Sequence, residues 1–111
     1  MKSVIHKLLG TGLLLAVMVT LTSPLQAQDD AAALFKTKCS SCHGADGSGN
    51  TAIGTKLGVK PLSDPTVAKH TDAEWIEITK KGQGKMPAYD GKLTEDQIKS
   101  LVKYMRGLAG K

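Results

Sequence analysis

The stretch Cys39-Ser40-Ser41-Cys42-His43 constrains this chain more than any other part of its 111 residues. Its spacing, C-x-x-C-H, is the attachment signature of a c-type haem. Two thiols three positions apart can add to the two vinyl groups on one edge of a porphyrin, and the adjacent imidazole can then ligate the iron. The motif therefore predicts one covalent haem c, attached through Cys39 and Cys42 and ligated by His43.

Three other uses of a cysteine pair at this spacing remain open. A C-x-x-C pair in a βαβ context is typical of thioredoxin-like proteins, but the sequence shows no strand pattern. A structural zinc ion needs four ligands, and only His70 is left in the mature chain to join the motif. A disulfide between Cys39 and Cys42 would close a very small loop and stabilise the fold little. Haem attachment is favoured over all three.

The first 27 residues have the layout of a secretory signal peptide. A start with two lysines and a histidine is followed by a mostly apolar run from Leu8 to Leu21 and a polar exit that ends at Ala27. The run is shorter than the ~20 residues that span a bilayer, which disfavours an uncleaved anchor. We predict cleavage after Ala27. Because Leu25 is large for its position, cleavage within residues 31–33 is the alternative.

Export agrees with the haem interpretation, because haem is attached to c-type proteins outside the cytoplasm. The predicted location is the periplasm, with no stable membrane insertion after the leader is removed. The chain has only the two cysteines of the motif, so a disulfide scaffold is disfavoured.

The charge of the chain excludes few partners. Without Lys2 and Lys7 of the leader, the formal net charge falls from +5 to +3, and two haem propionates would bring it nearer to zero. This balance gives weak support to an acidic partner surface and none to a nucleic-acid partner.

Residues 28–111 are predicted to form one small haem domain with a thin core of its own. Its only aromatic side chains are those of Phe35, Trp75, Tyr89 and Tyr104. Chains of this size usually need a staple beyond their core. A porphyrin held by two thioethers and two axial ligands would be both staple and core filler.

The periodicity of the domain predicts an all-α fold, since no segment has a strand pattern. Three helices are predicted: Asp30–Cys39, Thr71–Lys81 and Thr94–Leu108. Capping boxes mark the start of the last two, Thr71-x-x-Glu74 and Thr94-x-x-Gln97. Residues 44–65 and 82–92 are rich in glycine and proline and are predicted to be loops.

The second axial ligand decides what the iron does, and Met86 is the predicted one. A Met/His pair fills both axial positions and favours electron transfer. Met86 precedes Pro87, which favours an extended backbone, and nearby glycines let the loop approach a flat ring. Met105 falls on the apolar stripe of the last helix and is interpreted as a core residue. His70 is interpreted as a solvated loop residue, with bis-histidine ligation as the alternative.

With these motifs in place, the mature chain resembles a small class I cytochrome c, of the short bacterial type similar to cytochromes c6 and c553. C-S-S-C-H-G-A-D-G-S-G-N resembles the attachment site and next loop of that family. G-K-M-P-A-Y resembles its methionine loop, and L-T-E-D-Q-I-K-S-L-V-K-Y-M its final helix. The resemblance implies a small cytochrome c fold, with three main helices and loops wrapped around one haem.

The resemblance also implies roles for residues outside the ligand set. Phe35 would meet Leu101 and Tyr104 in a helix–helix contact beneath the haem. The carbonyl of Thr55, at a position where the family has proline, would accept the N–H of the ligand imidazole. Trp75 and Tyr89 would line the haem or bond a propionate, or else be ordinary core and surface aromatics; both interpretations stay open.

The resemblance also concerns Ala31, which would lie where the first and last helices cross. Ala31 stands where many members of the family have glycine, so the resemblance implies slightly wider spacing of the two helices.

The predicted function is outer-sphere transfer of single electrons between redox partner proteins, by an exported monomer that is not an enzyme. Five lysines are candidates to surround the exposed haem edge: Lys38, Lys56, Lys60, Lys81 and Lys85. Two alternatives remain. The chain is a haem subunit of a larger oxidoreductase, or, if Met86 does not ligate, an enzyme or gas sensor with an open iron site.

Overall fold

The computed structural model describes residue 12, residues 16–20 and residues 24–111, and the described domain is helical. The helices, in chain order, are α1 (Pro24–Lys38), α2 (Ser40–His43), α3 (Ala52–Leu57), α4 (Pro65–Ala68), α5 (Asp72–Lys81) and α6 (Glu95–Ala109). In these residues the only β-type pairing is two isolated bridges, so the all-α prediction is confirmed.

Most of the predicted signal peptide, residues 1–27, lies outside the described residues. Its cleavage therefore stays a prediction. In the part of the chain that the structure describes, no helix combines the length and the apolar character that a membrane span requires.

The start predicted for the first helix was wrong. Instead of beginning at Asp30, α1 begins six residues earlier at Pro24. Proline is favoured in the first turn of a helix, because its fixed φ suits the helix and its missing N–H would have no partner there. The predicted cleavage point after Ala27 thus lies within α1.

The loop predicted for residues 44–65 was also wrong in part, because it contains a short helix and the start of another. The Thr51 side chain accepts a hydrogen bond from the Gly54 N–H at the start of α3. Asp64 caps α4 in the same way by accepting from Thr66, with Pro65 in the first turn. These capping signals stand in the sequence, but one or two turns are too short to show a period.

Both predicted capping boxes are present. Thr71 and Glu74 exchange side-chain and backbone hydrogen bonds at the start of α5, and Thr94 and Gln97 do so at the start of α6. Each pair satisfies two backbone N–H groups that a helix start leaves without partners. The last two helices therefore begin within one residue of their predicted starts.

The core lies between α1 and α6, with α5 packed against α6. The largest fully buried side chains are Phe35, Ile98, Leu101 and Val102. The rings of Phe35 and Tyr104 lie 5.4 Å apart, as the resemblance implied. Ala31 is 1 % exposed, so its methyl group is part of this packed region. The packing of α1 on α6 places the end of α1, and hence the cysteine motif, against the rest of the domain.

Candidate functional site

A cavity of about 910 Å³ brings the cysteine motif and the predicted methionine ligand together. Its walls come from both halves of the chain and include Cys39, Cys42, His43, Trp75, Met86 and Met105. The volume is in the range typical of small-molecule and cofactor sites. A second cavity, of about 680 Å³, lies beside Leu62 and Leu108 and contains none of the predicted ligands.

The two cysteines and the histidine are positioned by a single helical turn. The N–H groups of Cys42 and His43 donate to the carbonyl of Cys39 at 3.2 and 2.9 Å. This turn starts α2 and lets both thiols and the imidazole line the same cavity. Both cysteines are free and half-buried.

Burial raises the pKa of the Cys39 thiol to about 11, with the Lys38 ammonium opposing the shift and the neighbouring Cys42 adding to it. Cys39 is therefore a protonated thiol at neutral pH. A thioredoxin-like pair needs a thiolate of low pKa, so this environment disfavours that interpretation. Nor do the described residues contain a group of three or more His, Cys, Asp or Glu side chains that could hold a metal ion.

The imidazole of His43 is buried in a way that suits a haem ligand. Burial lowers the pKa of His43, which favours the neutral ring that metals bind. Among the residues that the structure describes, its Nδ1 is buried without a hydrogen-bond partner. The structure therefore does not show the Thr55–His43 bond that the resemblance implied, and the carbonyl of Thr55 accepts from the Gly58 N–H at 3.3 Å. Phe35 backs the ring, with 6.4 Å between centroids.

Met86 closes a tight turn at the mouth of the cavity, in the segment of residues 82–92 that we call the methionine loop. The backbones of Gln83 and Met86 exchange two hydrogen bonds, at 3.2 and 2.9 Å. Gly82 has a φ of +75°, and a Cβ there would lie 2.6 Å from the Met86 carbonyl oxygen. Only glycine suits both the conformation and the close approach. The loop thus folds back onto the end of α5 and leaves the Met86 side chain half-buried.

Trp75 and Tyr89, whose roles were left open, both border this cavity, and the polar group of each donates a hydrogen bond to a backbone carbonyl. Trp75 Nε1 donates to the Val67 carbonyl at 3.1 Å. The Tyr89 hydroxyl donates to the Lys38 carbonyl at 3.0 Å. Burial raises the pKa of Tyr89, so its hydroxyl stays a donor. In the structure these groups position chain segments and are not free to bond a propionate.

The competing axial ligands are placed differently from Met86. Met105 is 7 % exposed within the core of α6, as the apolar stripe predicted, although it also borders the cavity. His70 borders the cavity too, but its side chain is 40 % exposed and its Nδ1 lies 3.4 Å from a Glu74 carboxylate oxygen.

The residues present fit a covalently attached haem. Two thiols, an imidazole and a thioether line one cavity, and each is a donor or nucleophile that a haem c uses. In the described residues no hydrogen bond to the protein fixes Nδ1 of the His43 ring, and the ring borders the cavity. Cys39, Cys42, His43 and Met86 would hold the group.

Sequence reasoning missed Arg106, which ties α6 to the wall of the cavity. Its guanidinium lies 3.8 Å from the centroid of the Trp75 ring and donates to Asp72 at 2.7 Å. It also donates to the carbonyls of Ala68 and His70. Arg106 is the only arginine beside 14 lysines. A single arginine among lysines was the signal available in the sequence. A planar guanidinium can stack on an aromatic ring and donate to several acceptors at once, whereas the lysine ammonium is a compact point charge.

Replacing Arg106 by methionine is expected to lower the free energy of unfolding by about 2–3 kcal/mol. The methionine keeps part of the packing on Trp75 but leaves two half-buried carbonyls without their donors. Guanidinium unfolding of the haem-loaded protein measures the change. Lys103→Met, at an exposed site on the same helix, is the control and should change stability by less than about 0.5 kcal/mol. Equal effects of the two substitutions would show that the Arg106 contacts contribute nothing.

Comparison with known proteins shows the family to which the chain is related. Residues 26–105 match the family described as cytochrome c oxidase, cbb3-type, subunit III. The chain is 35 % identical over 89 residues to a cbb3-type cytochrome c oxidase subunit CcoP of Azospirillum brasilense, covering 73 % of this chain and 30 % of that protein. It is 31 % identical over 99 residues to a cytochrome c6 of a Synechococcus strain, covering 84 % of this chain and 86 % of that protein.

The chain is also similar to a c-type cytochrome of known structure. The c-type cytochrome KustC0563 is 34 % identical, with a TM-score of 0.65, over 71 % of this chain and 96 % of that one. The chain spans less than a third of the length of the oxidase subunits that it matches, but most of the cytochrome c6.

Proposed function

The chain belongs to the class I cytochrome c family, and from this premise we propose that it transfers single electrons between redox proteins through one haem with His43 and Met86 as axial ligands. The observation that supports the proposal most is the cavity that gathers the C-x-x-C-H motif and Met86 from segments more than 40 residues apart in sequence. When bound, a haem c supplies an iron that cycles between ferric and ferrous states.

The protein's own residues would do the rest of the work. Cys39 and Cys42 would hold the group covalently, and His43 and Met86 would ligate its iron and leave no position there for a substrate. The apolar side chains of the cavity lining, with Trp75 among them, would limit the access of water to the group, which favours a higher reduction potential. No bond to a substrate is made or broken in this proposal, so the chain acts as a carrier and not as an enzyme.

The test of this proposal is the absorption spectrum of the exported protein, oxidised and then reduced. We expect haem that stays attached after denaturation, low-spin bands, and the near-infrared charge-transfer band of a sulfur–iron bond. A high-spin spectrum with ready carbon monoxide binding by the ferrous form would instead favour the open-site enzyme or sensor. The absence of haem, in a host able to attach it, would overturn the proposal.

A second candidate function follows from the match to cbb3-type oxidase subunits: a haem subunit of a larger oxidoreductase. Copurification with an enzyme at a fixed ratio in high salt would favour it. A monomer that leaves such an enzyme in high salt would favour the free carrier.

Export to the periplasm, with cleavage after Ala27, is part of the proposal, and the mass of the mature protein tests it.

The rim of the cavity is suited to an acidic partner. Among the described residues, four lysines line it, Lys38, Lys60, Lys69 and Lys85, and no Asp or Glu does. Three of them were among the five candidates named from the sequence. Lys81 instead pairs with Glu77 at 2.5 Å, and neither it nor Lys56 is part of the lining. We propose that redox partners dock here through a negatively charged surface.

Neutralising one rim lysine should slow electron transfer to an anionic reagent and leave transfer to a cationic one unchanged or faster. For Lys69→Gln we expect a roughly twofold to threefold lower rate with hexacyanoferrate(III) at low salt, and no difference at 1 M salt, where the Debye length is ~3 Å. Stopped-flow kinetics measure both rates, with tris(phenanthroline)cobalt(III) as the cationic reagent. Lys103→Gln, on α6 and outside the cavity lining, is the control. Equal losses in the two variants would contradict docking at the rim.

A further inference from the structure

Tyr89 joins two segments that are far apart in sequence. It stands three residues after Met86, and its hydroxyl donates at 3.0 Å to the carbonyl of Lys38. Lys38 is the last residue of α1 and directly precedes Cys39. The hydrogen bond therefore spans 51 residues of sequence and links the methionine loop to the start of the cysteine motif.

The backbone of Tyr89 is held as firmly as its side chain. Its N–H donates to the Thr79 carbonyl at 3.1 Å, and its carbonyl accepts from Lys92 and Leu93, each at 3.0 Å. The next N–H, that of Asp90, donates to Lys80 at 3.0 Å. The bonds from the Tyr89 and Asp90 N–H groups satisfy two carbonyls that the end of α5 would otherwise leave unpaired. Tyr89 is thus the point where the methionine loop, α5 and the end of α1 meet.

The turn that bears Met86 has few contacts of its own. Gly84 has a φ of +58°, and apart from its chain neighbours no atom of the described residues lies within 4 Å of the place where its Cβ would be. Lys85 and Pro87 are exposed. A segment with so little packing opens locally at low cost, so its position depends on what holds its two ends. At one end the chain leaves α5 at Gly82, and at the other it is held by Tyr89.

Resting on the proposed ligation by Met86, we infer that Tyr89 is a positioning residue whose hydroxyl holds the methionine loop against the cysteine motif. The bond fixes the distance between the chain that bears the thioether and the chain that bears the attached cofactor. Without the hydroxyl, the ring still packs against the core and the backbone bonds to α5 remain. What is lost is the direct link to Lys38, so the loop should swing away from the motif more often.

The other tyrosine of the chain provides a matched control. Tyr104 is also half-buried, packs against the same core and lies 5.4 Å from the Phe35 ring. In the described part of the chain the Tyr104 hydroxyl makes no hydrogen bond, whereas the Tyr89 hydroxyl donates to the Lys38 carbonyl. Tyr→Phe at the two positions therefore removes the same atom from similar surroundings, with and without a bond to break.

The experiment is an imidazole titration of the ferric protein in three forms: wild type, Tyr89→Phe and Tyr104→Phe. Imidazole displaces a sulfur ligand from the iron, and loss of the sulfur–iron band reports it. Because a neutral hydrogen bond contributes about 0.5–1.5 kcal/mol net, we expect Tyr89→Phe to bind imidazole about two- to tenfold more tightly than wild type. Tyr104→Phe should match wild type.

Guanidinium unfolding of the same three proteins separates loop opening from general loss of stability. The inference holds if Tyr89→Phe binds imidazole more tightly than wild type while Tyr104→Phe matches wild type in the same titration. Weaker binding by Tyr89→Phe would overturn it. Equal imidazole affinities in all three proteins, with the sulfur–iron band present, would overturn the role of Tyr89 and leave ligation by Met86 intact. Absence of the band from the wild type would overturn that ligation, and the inference with it.

Discussion

Replacing Met86 by alanine is expected to abolish the sulfur–iron charge-transfer band and to lower the reduction potential by on the order of 100 mV or more. The thioether is the softer of the two proposed axial donors and stabilises the ferrous state. An alanine leaves that axial position to water or to an added ligand. Absorption spectra and a redox titration of the variant measure both changes, and ferrous carbon monoxide binding should appear where the wild type shows none.

Met105→Leu is the control for this experiment. Met105 also borders the cavity, but it is buried within α6, and leucine keeps most of its volume in the core. The variant should retain the band and lose less than about 1.5 kcal/mol of stability. A band that survives Met86→Ala but disappears in Met105→Leu would assign the ligand to α6 instead and would refute the proposed role of the methionine loop.

Replacing Gly54 by alanine is expected to lower the free energy of unfolding by at least about 3 kcal/mol. Gly54 is buried where α3 packs on α2, and a Cβ there would overlap the carbonyl oxygens of Cys42 and Gly49. Both are backbone atoms and cannot move aside without shifting the motif. The Thr51 hydroxyl, which donates to the Ser41 carbonyl at 2.8 Å, ties the same two helices together. Guanidinium unfolding of the loaded protein measures the loss.

Gly107→Ala should have the opposite sign. Gly107 lies in the exposed part of α6, and no atom of the part of the chain that the structure describes occupies the space that its Cβ would take. Alanine there should stabilise the protein by about 0.5–1 kcal/mol, because it restricts the unfolded chain and favours the helix. If Gly54→Ala changed stability by less than about 1 kcal/mol, the close approach of α3 to the motif would not be a constraint on the fold.

The sequence predicted those parts of the fold whose signals are local and repeated. The capping boxes at Thr71 and Thr94, and the apolar stripe of α6 with Met105 on it, depend on residues three or four positions apart. Such signals are independent of the rest of the chain. The start of α1 was missed because it falls within the predicted signal peptide, and α3 was missed because it is only six residues long.

The contacts at the site that the sequence did not predict join residues far apart in the chain. The cysteine motif was recognisable because its chemistry requires five consecutive residues. The bond from Tyr89 to Lys38 and the fork of bonds from Arg106 join residues 51 and 34–38 positions apart. No spacing rule predicts such pairs. The absent bond between Thr55 and His43 is the converse case, in which a resemblance implied a contact that this structure does not contain.

The sequence by itself determined the chemical character of this protein: the motif that attaches a haem, the helical class, and the two methionines from which an axial ligand could come. These follow from residue types and short spacings. Only the tertiary structure decided that the motif and Met86 share one cavity and that Tyr89 and Arg106 bond across its walls. It also decided that, of the residues it describes, four lysines and no acidic side chain line that cavity. The physical reason is that each of these depends on how α1 packs on α6 and how the methionine loop folds back on α5. Such packing joins residues that no local pattern relates.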